Sequence, residues 1–276
     1  MNTSKSLARA LLQNDMKIQY ASDLHLELSG NSRWIKHHPL TVSGDVLILA
    51  GDIIYLGDEG GLRHPFWDWC ADSFEQTLVV PGSHEYYSGF NLAETLDDWN
   101  LELRSNVRYL NNAVVEFGRT KIILSTLWSY IRVENALAVE SGITDFHRIR
   151  YGEECLDFVK FNEAHQKSVD FIQGTLNEAQ DDDVIVVSHH LPSQILVSER
   201  FKGSNLNDAF SSEQGHWIAD SKIKYWIYGH SHVNIQGQIG QTTFLSNQLG
   251  YVFDRPEASS FDNGATIEIR YGTAIF

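Results

Sequence analysis

Cysteine is nearly missing from this chain, with Cys70 and Cys155 the whole complement. Two thiols cannot build a disulfide framework, and their scarcity fits a reducing compartment. Neither falls among the residues singled out below, so a thiolate metal site is not expected. Basic residues are short as well: 21 Lys and Arg stand against 36 Asp and Glu, a formal net charge of −15. That balance argues against a broad surface for a nucleic-acid backbone. It does not forbid a phosphorylated substrate, because bound divalent cations invert the local field whatever the global charge. No apolar run approaches the roughly 20 residues needed to span a bilayer. The first 15 residues have too short an apolar stretch and no clear cleavage site for a signal peptide. A soluble, cytoplasmic protein with no membrane partner is expected, its oligomeric state left open. Internal repeats and low-complexity tracts are also lacking.

What is present suffices for a large core. The chain has 276 residues, 42% of them hydrophobic, most economically one domain. The expected division is an N-terminal extension over 1–15 and a single domain over 16–276, with Met16 a plausible alternative start.

The chain is organised around Asp45-Val46-Leu47-Ile48-Leu49-Ala50-Gly51-Asp52. A short aliphatic run of this kind reads as a buried strand, and Gly51 lets the backbone turn so that Asp52 is presented at the sheet edge. Alone, a strand followed by Gly-Asp is common. Its repetition carries the weight. The run from Lys17 ends in Asp23-Leu24-His25, and the run from Thr77 ends in Gly82-Ser83-His84-Glu85. The run from Val184 ends in His189-His190, and the run from Tyr225 ends in Gly229-His230-Ser231-His232. Five apolar strands thus each stop at metal-ligand residue types, and in open α/β sheets ligands bind beyond the carboxyl ends of the strands. Residues i and i+2 of an extended segment share a side, so Asp23 and His25 can reach one ion.

Between these blocks the pattern predicts a loop over 27–39, in which His37 and His38 are solvated, and a helix from Pro65 to Phe74 whose aromatics are core. It predicts a helix from about Leu92 to Arg104, then an antiparallel meander of Val107–Tyr109, Ala113–Phe117 and Lys121–Ser125 with a turn at Asn111-Asn112. An irregular, substrate-selecting region is expected over 128–152, where Arg148 and Arg150 either contact substrate or form surface salt bridges. A long helix from Glu153 to about Ala179, a solvated acidic turn at Asp181-Asp182-Asp183 and strands completing a second sheet after Asn234 follow.

In this order and over most of the chain, Asp23-x-His25, Gly51-Asp52, Gly82-Ser83-His84-Glu85, His189 after an apolar strand and Gly229-His230-Ser231-His232 resemble the calcineurin-like metallophosphoesterase superfamily. The resemblance implies an α/β fold, a four-layer α/β/β/α sandwich with two mixed β-sheets, and two divalent metal ions at the sheet ends. One ion would be held by Asp23, His25, Asp52 and His232. The other would share Asp52 and use His189, His230 and position 83. Imidazole and carboxylate donors suit Mn, Fe or Zn better than Mg or Ca.

By that resemblance a metal-bridging hydroxide attacks phosphorus in line, and His84 protonates the leaving oxygen. His190 either touches the phosphoryl group or supports His189, and Tyr86 and Tyr87 either wall the pocket or pack in the core. Position 83 departs from the family pattern, where Asn ligates the second metal. Ser83 is shorter and a poorer donor, so weaker occupancy of the second site is expected. The continuation Gly51-Asp52-Ile53-Ile54-Tyr55-Leu56-Gly57 also departs from the Gly-Asp-x-Val-Asp-Arg-Gly of the phosphoprotein phosphatase branch. A small phosphomonoester or phosphodiester is the expected substrate, bound by Arg148 and His190 in addition to the metals. The rival reading is a non-catalytic scaffold or interaction protein on the same fold. A metal-dependent amidohydrolase-like enzyme is opposed by the absence of a (β/α)₈ rhythm.

Overall fold

The computed structural model describes residues 15–179, 183–253 and 260–270. The expected N-terminal extension, apart from Asp15, lies outside these residues, as do Asp181 and Asp182 of the acidic turn and the chain after Arg270.

Alternation of side chains along buried strands builds the layers. In one sheet β1 (Asp15–Ala21), β2 (Val46–Ala50), β3 (Gln76–Val80), β4 (Trp99–Arg104) and β5 (Val107–Asn111) pair. The second holds β6 (Ala113–Phe117), β7 (Thr120–Leu124), β10 (Asp183–Val187), β11 (Ile223–Tyr228), β12 (Gly237–Ile239) and β13 (Thr242–Ser246). Strands β8 (Arg150–Tyr151) and β9 (Glu154–Cys155) form a small hairpin, and β14 (Thr266–Arg270) closes the first sheet. The orders are β14-β1-β2-β3-β5-β4 and β12-β13-β11-β10-β7-β6. In each sheet the four central strands are parallel and both edge strands antiparallel.

Val46, Ile48 and Ala50 of β2 face Ile122, Leu124, Ile185 and Val187 of the opposite sheet in one core. Leu47 and Leu49, on the other side of the same strand, pack on Phe66, Trp67 and Cys70 of the helix Pro65–Ser73. Val184, Val186 and Trp226 likewise turn away from the inner core to meet Val169 and Ile172 of the helix Phe158–Glu178. The result is the expected four layers, helix, sheet, sheet, helix.

Several local expectations are corrected. The segment after Glu27 is not a loop: Ser29–His37 is a helix whose Trp34 and Ile35 join the outer core of the first sheet. His37 and His38 are exposed, as expected of solvated residues. The stretch from Leu92 to Arg104 is a short 3₁₀ turn, Leu92–Glu94, and then strand β4. Its Trp99, Leu101 and Leu103 alternate with polar residues at period two, and pairing with β5 decides the outcome. The meander is also split. Strand β5 belongs to the first sheet and the β6–β7 hairpin to the second, so the Asn111-Asn112 corner is where the chain changes sheets. Asn112 sits there at φ +49°, a left-handed conformation that Asn tolerates. Asn111 and Asn112 donate to the Thr95 and Leu96 carbonyls at 2.7 Å and 2.7 Å.

Residues 128–152 hold two helices, Val133–Gly142 and Asp145–Arg148, and the long helix starts only at Phe158, capped by Asp157. After Asn234, β12 and β13 complete the second sheet, but β14 crosses to the first. Among the described residues no helix is long and apolar enough to cross a membrane.

Because Ile48 is fully buried between the sheets, Ile48→Ala is expected to lower stability by about 2–5 kcal/mol. Urea unfolding followed by circular dichroism checks this; a loss below about 1 kcal/mol would mean the inner core is not close-packed at β2.

Candidate metal centre

Beyond the carboxyl ends of the parallel strands, two overlapping clusters form. Asp23, His25, Asp52 and His232 offer donor atoms within 4.8 Å of one another, and Asp52, His189 and His230 do the same. Asp23 and His25 leave β1, Asp52 leaves β2, His189 leaves β10, and His230 and His232 leave β11. The distances across them are short: His25 Nε2 to His232 Nε2 is 3.0 Å, and His189 Nε2 to His230 Nδ1 is 3.1 Å. Asp52 Oδ1 lies 3.4 Å from His189 Nε2, and Asp23 Oδ1 lies 3.3 Å from His232 Nε2.

The local backbone is unusual where it must be. Asp23, His25, Asp52, His230 and His232 all have positive φ, from 46° to 73°, and such strain clusters at functional sites. The glycines matter by their lack of a side chain. A Cβ on Gly51, itself at φ +87°, would come within 2.4 Å of His189 Nδ1, and one on Gly82 within 2.2 Å of Asp52 Oδ1.

Hydrogen bonds fix which ring nitrogens are free. His189 Nδ1 donates to the Ala50 carbonyl at 2.9 Å, so Nε2 is the nitrogen turned to Asp52 and His230. His230 Nε2 donates to the Ala209 carbonyl at 3.3 Å, leaving Nδ1. His25 Nδ1 donates to Glu27 Oε1 at 3.1 Å, leaving Nε2. Imidazole nitrogens and carboxylate oxygens therefore point at the same small volumes. They repel one another unless positive charge lies between them, which is the donor set of a cation site.

The electrostatics show the same demand for positive charge, met on His189 by a proton. Burial works against a charge on His189, yet the Asp52 carboxylate outweighs it and holds that imidazole up to about 10. Burial and then the neighbouring His189 push His230 down to about 3. Burial opposes ionisation of Asp52, but the surrounding histidines hold it well below the usual carboxylate range. Mixed imidazole and carboxylate donors without thiolate fit Mn, Fe or Zn.

His84 stands beside the clusters. Its backbone N–H donates to Asp52 Oδ1 at 2.9 Å, its Nδ1 donates to Glu27 Oε1 at 2.8 Å, and its Nε2 meets the Tyr251 hydroxyl at 3.1 Å. Burial alone would depress it, but Asp52 and Glu27 raise it to about 9. Ser83 is buried and lines the adjoining cavity with Asp52 and His84. Its side chain interacts with the Tyr87 hydroxyl, which donates to Asp145 Oδ1.

Two residues assigned to substrate from the sequence do not line this cavity. Arg148 turns to the Tyr87 carbonyl, 3.1 Å from its Nη2, and lies over the Tyr87 ring. His190 is fully buried behind His230, ring centroids 4.3 Å apart, with both ring nitrogens unpartnered. Tyr86 is wholly buried, whereas Tyr87 belongs both to a core cluster and to the cavity wall.

Other residues emerge only in three dimensions. Glu85 is fully buried, and its carboxylate accepts from the N–H groups of Gly82, Asp52 and Ile53 at 2.7, 3.0 and 2.8 Å and from the Tyr109 hydroxyl at 3.1 Å. It ties the β2 and β3 ends together. Gln248 Oε1 accepts from the His232 N–H at 2.6 Å. Asp23 and His25 lie past the end of β1 in left-handed backbone, so turns and not the expected strand alternation bring them together; Glu27 repeats their two-residue spacing, a signal that could have placed it, whereas Tyr251 and Gln248 follow no recognisable motif.

The calcineurin-like phosphoesterase profile matches residues 16–234. An uncharacterised protein of Acanthamoeba polyphaga mimivirus is 27% identical over 287 residues, covering 91% of this chain and 96% of the relative. Among solved structures, phosphopantetheinyl hydrolase from Mycobacterium tuberculosis aligns with a TM-score of 0.63 at 17% identity, over 90% of this chain and 95% of that one. The structural likeness is one of fold.

Glu85→Ala removes the acceptor of three buried N–H groups. It is expected to cost about 3 kcal/mol or more, since each orphaned donor costs about 1–3 kcal/mol, and to weaken metal retention on dialysis. Chemical denaturation and metal analysis of the dialysed variant check this; wild-type stability with full metal retention would remove Glu85 from its organising role.

Proposed function

The chain belongs to the calcineurin-like phosphoesterase family, and on that premise we propose that it hydrolyses a small phosphomonoester or phosphodiester with two divalent ions. The observation that carries the reading is the pair of donor clusters sharing Asp52. Asp23, His25, Asp52 and His232 would hold one ion, and Asp52, His189 and His230, with Ser83 at the edge, the other. Such ions activate water and neutralise charge on the phosphoryl oxygens.

The chain's own groups do the rest. Asp52 lies where it is common to both clusters, and its Oδ1 also fixes the His84 backbone. In hydrolysis a water oxygen forms a new bond to phosphorus, the bond from phosphorus to the alcohol oxygen breaks, and that oxygen takes a proton. His84 lines the cavity with Asp52, which supports it as the donor of that proton. Glu27 orients the ring through Nδ1, which leaves Nε2 toward Tyr251 and the cavity. The name of the Mycobacterium tuberculosis neighbour, a phosphopantetheinyl hydrolase, belongs to the same reaction class.

Ser83 bears on the second ion. A hydroxyl in place of an amide oxygen weakens that position, and one alternative, a non-catalytic scaffold, draws its support from this residue.

The test is hydrolysis of an aryl phosphomonoester and the matching diester with added Mn²⁺, for the wild type, Ser83→Asn and Asp52→Asn. The wild type is expected to turn over one ester, Ser83→Asn to reach half-maximal rate at several-fold lower Mn²⁺, and Asp52→Asn to lose at least about a thousandfold in rate. Metal loading is also expected to raise the melting temperature, since an ion bound only by the folded state stabilises it. Folded, metal-loaded wild type and Ser83→Asn that cleave neither ester would overturn the enzymatic reading and leave the scaffold.

A further inference from the structure

The cavity that opens onto the clusters has a volume of about 360 Å³ and two unlike walls. One is mainly apolar, with Ile143, Leu191, Val197, Phe201, Leu206 and Phe210 interrupted by the polar Ser198, Ser204 and Asn207. It reaches the clusters directly, because the Phe210 ring stacks on His230 with centroids 4.6 Å apart. The other wall carries Tyr87 and Asp145. Among the described residues no Lys, Arg or Glu lines the cavity, and beyond the ligand positions and His84 the charged lining residue is Asp145.

Asp145 is 2% exposed. One carboxylate oxygen accepts from the Tyr87 hydroxyl, and Oδ2 has no partner among the described residues. A buried carboxylate oxygen without a donor is costly; Asp145 lines the cavity, and a turn of its side chain would bring this oxygen to a ligand there.

We infer that this cavity is the subsite for the alcohol portion of the ester, and that it selects an uncharged, largely apolar group bearing an N–H or O–H donor for Asp145. The inference rests on the phosphoesterase reading and narrows it. The clusters take the phosphoryl group. A short arm then passes Asp145, which accepts its donor, and an apolar tail lies against Val197, Leu206 and Phe210. An anion in the same space, such as a second phosphate or a carboxylate, meets Asp145 and, away from His84 and the ligand positions, no Lys or Arg among the described residues. Nucleoside polyphosphates and polyphosphorylated sugars are thereby excluded as good substrates. Asp145 acts here as a specificity residue: it touches the alcohol portion and not the reacting phosphorus.

The experiment uses N-acyl phosphoethanolamines, in which an amide N–H sits two carbons from the ester oxygen. Four probes suffice: the acetyl and hexanoyl compounds, the N-methylated hexanoyl compound, and a hexanoyl compound ending in a carboxylate. Each is assayed with Mn²⁺-loaded protein. In parallel, the phosphonate analogues, with CH₂ in place of the ester oxygen, are titrated by calorimetry.

Hexanoyl is expected to exceed acetyl by about tenfold or more in kcat/KM, since four more methylenes are buried. N-methylation and the terminal carboxylate are each expected to cost about tenfold. In Asp145→Asn the amide oxygen can keep the Tyr87 bond while its NH₂ turns to the cavity, so the penalty for N-methylation is expected to fall toward one. Esters cleaved at equal rates whatever the tail, charge or donor would overturn the inference and leave the catalytic reading intact. Phosphonates that bind in the expected order without cleavage of any ester would do the reverse. Neither binding nor cleavage would defeat both.

Discussion

The structure depends on one electrostatic constraint: buried acceptors crowded around two small volumes. Asp23, His25 and His189 are fully buried and Asp52 is 2% exposed. In His25, His189 and His230 a carbonyl or Glu27 takes the N–H on the far side of the ring, so the inward nitrogen is the one left to face a cation or a proton. In a low-dielectric interior such an arrangement is repulsive without positive charge at its centre. It is also built on left-handed backbone at five donor residues, each costing about 1–3 kcal/mol. Geometry of that cost persists only where the surroundings over-determine it. Here they do so by mutual bonding: the His230 N–H donates to Asp23, the His84 N–H to Asp52 and the His232 N–H to Gln248.

Neither sheet completes a cluster by itself. The first takes Asp23, His25 and Asp52 from one sheet and His232 from the other; the second takes Asp52 from one and His189 and His230 from the other. The site therefore lies across the seam of the sandwich, and a bound ion would staple the sheet ends together. Metal affinity and packing of the inner core are thermodynamically linked for this reason. Glu85 plays the matching part within the first sheet. As a buried carboxylate serving three N–H groups, it holds the loops after β2 and β3 in one register without reaching either cluster.

Much of this was legible because it repeats at short range. Asp23 and His25, Gly51 and Asp52, and Gly229, His230 and His232 each stand at the end of an aliphatic run, so strand, turn and donor are adjacent in sequence. Strand β4 was misread because Leu92, Leu96 and Leu103 allow a helical spacing, whereas Trp99, Leu101 and Leu103 allow a period of two, and only pairing with β5 distinguishes them. The corner at Asn112 was read as a hairpin turn for a related reason: a tight reversal and a passage between sheets use the same residue and the same left-handed φ. Arg148 and His190 were placed by sequence neighbourhood, but the Tyr87 carbonyl draws the first away and His230 screens the second. Glu85 was visible as a letter and not as a hub, since its partners at positions 52, 53, 82 and 109 are gathered only by the fold.

Ser83 joins the two halves of the site. A serine at this position shortens the side chain beside the second cluster, and Tyr87 reaches the place with its hydroxyl, interacting with Ser83 and donating to Asp145. Position 83 is thus coupled through one phenol to the wall of the cavity. An asparagine introduced there must share that space with the Tyr87 hydroxyl, and it competes for the group that holds Asp145 in place. On the proposed reading, metal binding and leaving-group recognition are therefore not independent in this chain. The strand ends carry the chemistry on a strained but heavily bonded frame, while the segments around Asp145 and from Leu191 to Phe210 supply the walls. Tyr87, placed by the short helix that follows Ser83, touches both.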